Sequence, residues 1–427
     1  MLLKVLLIIE QCNPEWASVP QIGYQMFDHL SRCADVKLVT HARNKKALEA
    51  AGHIDNITYL EEPSWLASYF AIIYKLIHSK AKGVIWPLFH VLSYPVYAYF
   101  NNAVNKKFAK QVQEGAYDIV HSFSPVIPRY PVKIVKACRN TPFILGPVNG
   151  GVPFPRAFRS TAFREHTYLN FFRLFASFLP GYKSTYRKAN RVLVGSSFTL
   201  TLIHKLFGSD TVSMELFYEN GVQDKFFHVK ETHSSKRASS LNLLFVGRLV
   251  PYKRADMAIK ALARLPEAIK QNTFLTIVGD GPERQGIEEL IKKLNLSEQV
   301  TLTKWLPYKE LIHYYHKADV FCFPSIREFG GAVVFEAMAA SLPCIIVKNG
   351  GIGEYVTEDC GFSIEPTSEE YIVEQIAVHI ETLFDDRELL YKMSEAAYKR
   401  ALPMRWENKI QRLLEIYTEA MKEEQSS

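Results

Sequence analysis

The 427-residue chain has few cysteines, no concentrated metal ligands and no long apolar run, and each shortage excludes a class of protein. Its six cysteines (Cys12, Cys33, Cys138, Cys322, Cys344, Cys360) form no C-x-x-C pair. A disulfide scaffold or zinc ribbon is therefore excluded, and several of these thiols lie in apolar runs, as buried reduced cysteines of a cytoplasmic protein do. His313 and His316 are three apart on an expected helix without a third ligand, so they read as a surface pair. No D-x-D stands in a suitable context, and no metal is expected. There is no G-x-G-x-x-G, and the glycine-rich loop ending Phe143–Gly151 (FILGPVNGG) opens no helix directly, which argues against a dinucleotide site. The most apolar uncharged stretch, Val84 to Phe100, has 17 residues broken by Pro87, His90 and Pro95; a membrane span needs about 20. Leu2–Ile9 is too short for a signal peptide, lacks a small-residue cleavage site, and reads as a first buried strand.

Acid is also scarce, in one half only. Residues 1–230 hold 27 Lys and Arg against 15 Asp and Glu, a balance of about +12, which leaves about −5 for the remainder. No acidic residue lies between Glu62 and Glu114, and only Glu165 lies between Asp118 and Asp210. The first half is thus suited to an anionic partner. Two of its stretches combine this basic character with aromatics. One is Ser64–Phe100, with Lys75, Lys80 and Lys82. The other is Phe163–Arg191, where Phe171, Phe172, Phe175, Phe178 and Leu179 alternate with Arg164, Arg173, Lys183, Arg187, Lys188 and Arg191. Broken, basic, aromatic helices suit a membrane interface; a core helix pair with a basic outer face would carry the same pattern.

What is present, at 48% apolar and 22% charged residues, is a folded chain long enough for two or three domains. Its most informative stretch is Pro324–Val347. The apolar run Ala318–Phe323 reads as a strand, a loop carries Glu328, Gly330 and Gly331, Ala332–Ala340 reads as a helix, and Cys344–Val347 as a further strand. Strand, loop, helix, strand is the unit of a parallel α/β sheet, and ligands sit at the strand carboxyl ends of such sheets. Glu328 and Glu336, eight apart, flank that mouth; carboxylates there accept sugar hydroxyls and stabilise positive charge on a sugar ring. Earlier, the strand Leu241–Val246 runs into Gly247-Arg248-Leu249-Val250-Pro251-Tyr252-Lys253-Arg254 before a helix. A glycine turn with cations at a helix N-terminus suits a diphosphate. Lys230–Ser240 (KETHSSKRASS) is polar and aperiodic, the expected interdomain linker.

Together these motifs resemble the retaining glycosyltransferases of family 4, which have the GT-B fold. Glu328, Gly331 and Glu336 match the E-x7-E motif; Gly330 stands where an aromatic residue is usual and Ser341 where a glycine closes the helix. Arg248 and Lys253 match G-R-L-x-x-x-K-G, with Arg254 in place of the last glycine. Gly279-Asp280-Gly281-Pro282, Trp305-Leu306-Pro307 and Asn349–Glu354 match, in order, the family's G-D-G-P turn, its base-reading segment and its G-G-x-x-E turn. In the first half the likeness is looser. His121 ends a D-x-x-H strand, Gly146–Gly151 resembles a G-P-x-x-G-G loop, and Asn220-Gly221-Val222 resembles the turn closing the first domain.

The resemblance implies an α/β architecture of two Rossmann-like domains facing a cleft. The expected order is an acceptor domain over 1–229, a linker over 230–240, a nucleotide-sugar domain over 241–402, and a helix over 403–427 crossing back to the first domain. It implies transfer of a hexose from a UDP- or GDP-sugar to an acceptor hydroxyl with retention, without metal or cofactor. Arg248 and Lys253 would stabilise the diphosphate, with Gly247 admitting it; Glu336 would hold the ribose hydroxyls, Glu328 and Gly331 the donor sugar, and Trp305 would lie beside the base. His121 would face the sugar from the cleft. No side chain suggests itself as a nucleophile, which favours front-face displacement. The basic aromatic first domain then points to a polyprenyl-diphosphate-linked acceptor at the cytoplasmic face of the inner membrane, and not to nucleic acid. A GT-B sugar-nucleotide epimerase and a non-catalytic membrane-associated nucleotide-sugar binder are the alternatives.

Overall fold

The structure is a computed structural model that describes residues 2–79, 83–208, 212–229 and 240–426. The expected linker lies outside the described residues up to residue 239, as do Lys80 and Lys82, and so do the side chains of residues 172–175.

Two parallel sheets make the molecule. The first has seven strands: β1 (Lys4–Ile8), β2 (Asp35–His41), β3 (Ile57–Leu60), β4 (Ile119–Ser122), β5 (Phe143–Val148), β6 (Arg191–Val194) and β7 (Met214–Leu216), in the spatial order β3-β2-β1-β4-β5-β6-β7. The second has six: β8 (Leu241–Val246), β9 (Thr273–Val278), β10 (Val300–Thr303), β11 (Val320–Phe323), β12 (Cys344–Val347) and β13 (Gly361–Ile364), in the order β10-β9-β8-β11-β12-β13. Their central strands are short runs of Val, Ile, Leu and Phe buried on both faces, as strands covered by helices on two sides must be. This is the GT-B arrangement. Both orders reverse beside the first strand of their domain, between β1 and β4 and between β8 and β11. At such switch points neighbouring loops diverge and leave a crevice outside the strand ends.

The last helix, Trp406–Ser426, returns to the first domain. Trp406, Ile410, Leu413 and Tyr417 join the core that holds Val5, Leu7, Met26 and Phe27. Trp406 also packs against the backbone of Gly221, where a Cβ would meet its ring at 2.5 Å. Ser196 caps the helix Ser197–Phe207, its hydroxyl accepting from Thr199 N–H.

The two basic aromatic stretches come together in space. The helices Ser64–Ile77 and Trp86–Leu92 pack through Phe70 and Phe89, 6.1 Å apart, and Trp86–Leu92 packs in turn on the 3-10 segment Thr167–Phe178. Trp65, Leu76, Phe163, Phe171 and Phe178 stay exposed. Among the described residues no helix is long and apolar enough to cross a membrane.

Candidate active site

At the second domain's switch point, the loop after β8 and the loop after β11 converge. Lys253 Nζ lies 2.5 Å from Glu328 Oε1, and Ser325 Oγ donates to the same oxygen at 2.6 Å. The pair is shielded, with side chains 13% and 8% exposed. Tyr252 ties the two loops, its carbonyl accepting from Ile326 N–H at 2.9 Å and from Ser325 Oγ at 3.3 Å. Its hydroxyl accepts from Arg248 Nη2 at 3.1 Å. Arg248 is itself exposed and reaches across the cleft, its guanidinium 6.0 Å from the ring of Trp86 in the first domain. Arg248, Lys253 and Glu328 are thus one contiguous group: two cations and a carboxylate at a strand-to-helix mouth. Gly247, ahead of them, donates its N–H to Val278 O at 3.0 Å and so fixes the turn.

Arg254 does not join this group. It adopts a left-handed conformation (φ 52°) and pairs with Asp256 at 2.9 Å and Glu369 at 2.6 Å. Gly331, also left-handed at φ 49°, caps the helix Ala332–Ala339 against Ile352. Trp305 is 58% exposed on the loop after β10.

Glu336 stands apart from the cations. It is buried, Tyr308 OH donates to Oε1, and Tyr315 OH donates to Oε2 at 2.9 Å. Burial raises its carboxyl above the usual range, and the two tyrosine hydrogen bonds work against that rise. By ordering Tyr308, which follows the Trp305–Pro307 segment directly, Glu336 shapes the wall of the mouth.

His121 is not a cleft residue. It is fully buried, its Nδ1 is 2.5 Å from Tyr417 OH on the last helix, and its Nε2 is 2.7 Å from Gly146 O. Burial lowers its pKa to about 4. A strand-end histidine would face the cleft were the last helix not lying over it.

The first domain has its own polar cluster, which the sequence reading missed. Glu10 follows β1, His41 ends β2, and Glu62 follows β3, all at strand carboxyl ends. His41 Nε2 is 3.2 Å from Glu62 Oε2, and Arg43 Nη2 is 3.6 Å from it. Arg43 lies over Phe70 at 5.0 Å, and its buried Nε and Nη2 have no hydrogen-bond partner. Burial raises the Glu10 carboxyl, opposed by Arg43, and lowers His41 to about 3. Only their common place after successive strands could have signalled this cluster.

The two domains meet at their loops. Arg327 Nε donates to Val152 O and Asn349 Nδ2 to Pro153 O, both at 2.9 Å. Glu354, of the G-G-x-x-E turn, accepts from Ser197 N–H and Oγ at 2.9 and 2.7 Å. Arg164 pairs with Glu283 at 2.6 Å.

Residues 230–400 match the model of the family described as glycosyl transferases group 1. A D-inositol 3-phosphate glycosyltransferase of Kribbella flavida is 27% identical over 256 residues, 57% of this chain and 59% of that protein. The chain spans about half the length of the curated relatives it matches. Among solved structures, Anabaena Alr3699/HepE in complex with UDP and glucose is similar with a TM-score of 0.59, 18% identity, and coverage of 98% of this chain and 100% of that one. Sucrose-phosphate synthase from Thermosynechococcus elongatus is similar with a TM-score of 0.62 at 18% identity, covering 98% of each chain.

Proposed function

We propose that this chain, whose residues 230–400 match the model of the glycosyl transferases group 1 family, is a retaining glycosyltransferase that moves a hexose from a UDP- or GDP-sugar to an acceptor hydroxyl. The observation that carries this reading is the Lys253–Glu328 pair beside Arg248 at the second domain's switch point. A diphosphate leaving group gains negative charge as the glycosidic bond breaks. Arg248, exposed and held by one hydrogen bond, and Lys253, exchanging Glu328 for a phosphate oxygen, supply the opposite charge there. Glu328, released from Lys253 on one side, is then available to donor hydroxyls beside Gly331. Glu336 accepts ribose hydroxyls with the lone pairs that Tyr308 and Tyr315 leave, and Trp305 lies beside the base. The complex of the Anabaena neighbour with UDP and glucose supports a nucleotide-sugar donor.

The step needs no enzymic nucleophile: the acceptor hydroxyl attacks from the face the diphosphate leaves, and a departing phosphate oxygen takes its proton. Neither a metal nor a cofactor is invoked. The cluster of Glu10, Arg43 and Glu62 beyond the ends of the first domain's β1, β2 and β3 suits a polyhydroxylated acceptor better than a bare phosphate, because its carboxylates accept hydroxyls and repel anions. Beside it, the exposed aromatics of Ser64–Ile77 and Thr167–Phe178 favour a polyprenyl-diphosphate-linked saccharide at the cytoplasmic face of the inner membrane. The experiment is turnover of UDP-, GDP- and ADP-sugars with and without lipid-linked saccharide extracts, with the product anomer read by NMR. Transfer with retention is expected. Donor conversion without acceptor would make the protein an epimerase, and binding without nucleotide release a non-catalytic receptor.

A further inference from the structure

Glu219 is the one carboxylate of the first domain that touches the catalytic loop of the second among the contacts described, and the proposed reaction gives it no role. It follows β7 and is buried. Asn149 Nδ2 donates to both its oxygens at 2.8 Å. Asn149 Oδ1 is in turn fixed by Ser196 Oγ at 3.2 Å and Thr199 Oγ1 at 3.0 Å, at the start of the helix Ser197–Phe207. The carboxylate is wedged between two glycines. A Cβ on Gly195 would stand 2.3 Å from Oε2, and one on Gly330 would stand 2.0 Å from Oε1. Gly195 belongs to the first domain; Gly330 lies two residues past Glu328. Position 330 is where the family resemblance leads one to expect an aromatic ring, and here that space holds a carboxylate from the other domain. Burial raises the Glu219 carboxyl, and its hydrogen bonds and then Lys409 of the last helix, which donates to Tyr218 O at 2.5 Å, work against that rise.

We infer that Glu219 is a positioning residue of the transfer site: anchored to the first domain by Asn149, it buttresses the backbone at Gly330 and so fixes where Glu328 and Gly331 meet the donor hexose. A carboxylate is needed because one amide group faces both its oxygens. Glutamine would set an NH2 either against Asn149 Nδ2 or against the glycine backbone. The inference rests on the glycosyltransferase reading, and the test separates the two.

In the full-length protein, kcat and KM are measured with whichever of UDP-, GDP- or ADP-glucose the wild type cleaves, together with affinity for the matching nucleoside diphosphate by calorimetry. Glu219→Gln is expected to lower kcat by about 100-fold, the effect of a small misplacement at the reacting centre. Diphosphate affinity should stay within about threefold, since Arg248 and Lys253 are untouched. If Glu219→Gln fails to fold, Gly330→Ala displaces the carboxylate from the other side and should show the same kcat loss. A kcat within about threefold of wild type in the folded variant overturns the inference. So does a diphosphate affinity that falls in step with kcat. A wild type that neither binds nor cleaves any of the three donors ends the transferase reading and this inference with it; one that does cleave upholds the reading whatever Glu219 does.

Discussion

Replacing Lys253 by Met separates the two duties of that side chain. In the structure it neutralises Glu328 at 2.5 Å, with both side chains nearly out of solvent. An exposed pair of this kind contributes about 0–1 kcal/mol. Removing one member of a buried pair costs about 3–5 kcal/mol, because the other charge is left unpaired. Ser325 Oγ still donates to Glu328, which places the expected loss for Lys253→Met near 3 kcal/mol, at the low end of that range. Glu328→Gln alone strands the ammonium instead. In the double variant neither charge remains, so the two costs should fall short of additivity by about 2 kcal/mol. Chemical denaturation of the wild type, both single variants and the double variant measures this coupling. Nucleotide gives an independent reading. At about 100 times its dissociation constant, a bound diphosphate adds about 2.7 kcal/mol to the wild type, and the same concentration should add much less to Lys253→Met. Turnover should fall by about 100- to 1000-fold, the usual effect of losing one donor to a developing anion. Costs that add to within about 0.5 kcal/mol would show that the pair is not coupled as its geometry requires. Wild-type turnover in Lys253→Met would remove the lysine from the leaving-group role.

Three further outcomes are expected. His121 titrates near 4 in the folded protein against an ordinary 6.5, so between these values the unfolded chain binds the extra proton and stability falls as pH falls, by up to about 3 kcal/mol. Urea midpoints of the wild type should therefore drop more between pH 6.5 and 4.5 than those of His121→Gln; parallel curves would refute this. Burial lowers Lys409 to about 7 from 10.5, partly offset by Glu219. The unfolded chain then holds the extra proton between those values, and stability should rise with pH across the window at up to about 1.4 kcal/mol per unit. Lys409→Met should flatten that rise between pH 7.5 and 9.5, and an unchanged slope would count against it. Finally, the protein should float with phosphatidylglycerol vesicles at low salt, and replacing Leu76, Phe163 and Phe178 by Ser should abolish it; no flotation of the wild type would end the membrane proposal.

The fold was legible because its determinants are local. Each central strand is a short apolar run, and each ligand loop follows such a run directly, so Gly247–Lys253 and Glu328–Glu336 could be placed on their mouths from spacing. What escaped depends on residues far apart in the chain. Glu219 meets Asn149 from 70 positions away, and its neighbour Gly330 reads in sequence only as a missing aromatic. His121 was misplaced for the same reason. The strand-end rule is sound, but Tyr417, 296 positions on, fills the space that the rule assigns to the cleft. Glu336 shows a milder form: its spacing puts it at the mouth, and only Tyr308 and Tyr315 reveal that both its oxygens already hold hydroxyls.

The contacts between domains are unequal, and the inequality bears on how a donor enters. Along the edge of β7, the turn Glu219–Val222 meets the incoming last helix through a Val222–Arg405 backbone bridge and the buried Trp406 packed on Gly221. Val222 and Trp406 are buried there, so parting the turn from the helix would expose apolar surface to water. At the mouth, the Arg327–Val152 and Asn349–Pro153 hydrogen bonds are joined by the exposed Arg164–Glu283 pair and the Arg248 guanidinium over Trp86, the last two of the kind that contributes about 1 kcal/mol or less. The contacts across the mouth that a donor could displace at least cost are therefore Arg164–Glu283 and Arg248–Trp86.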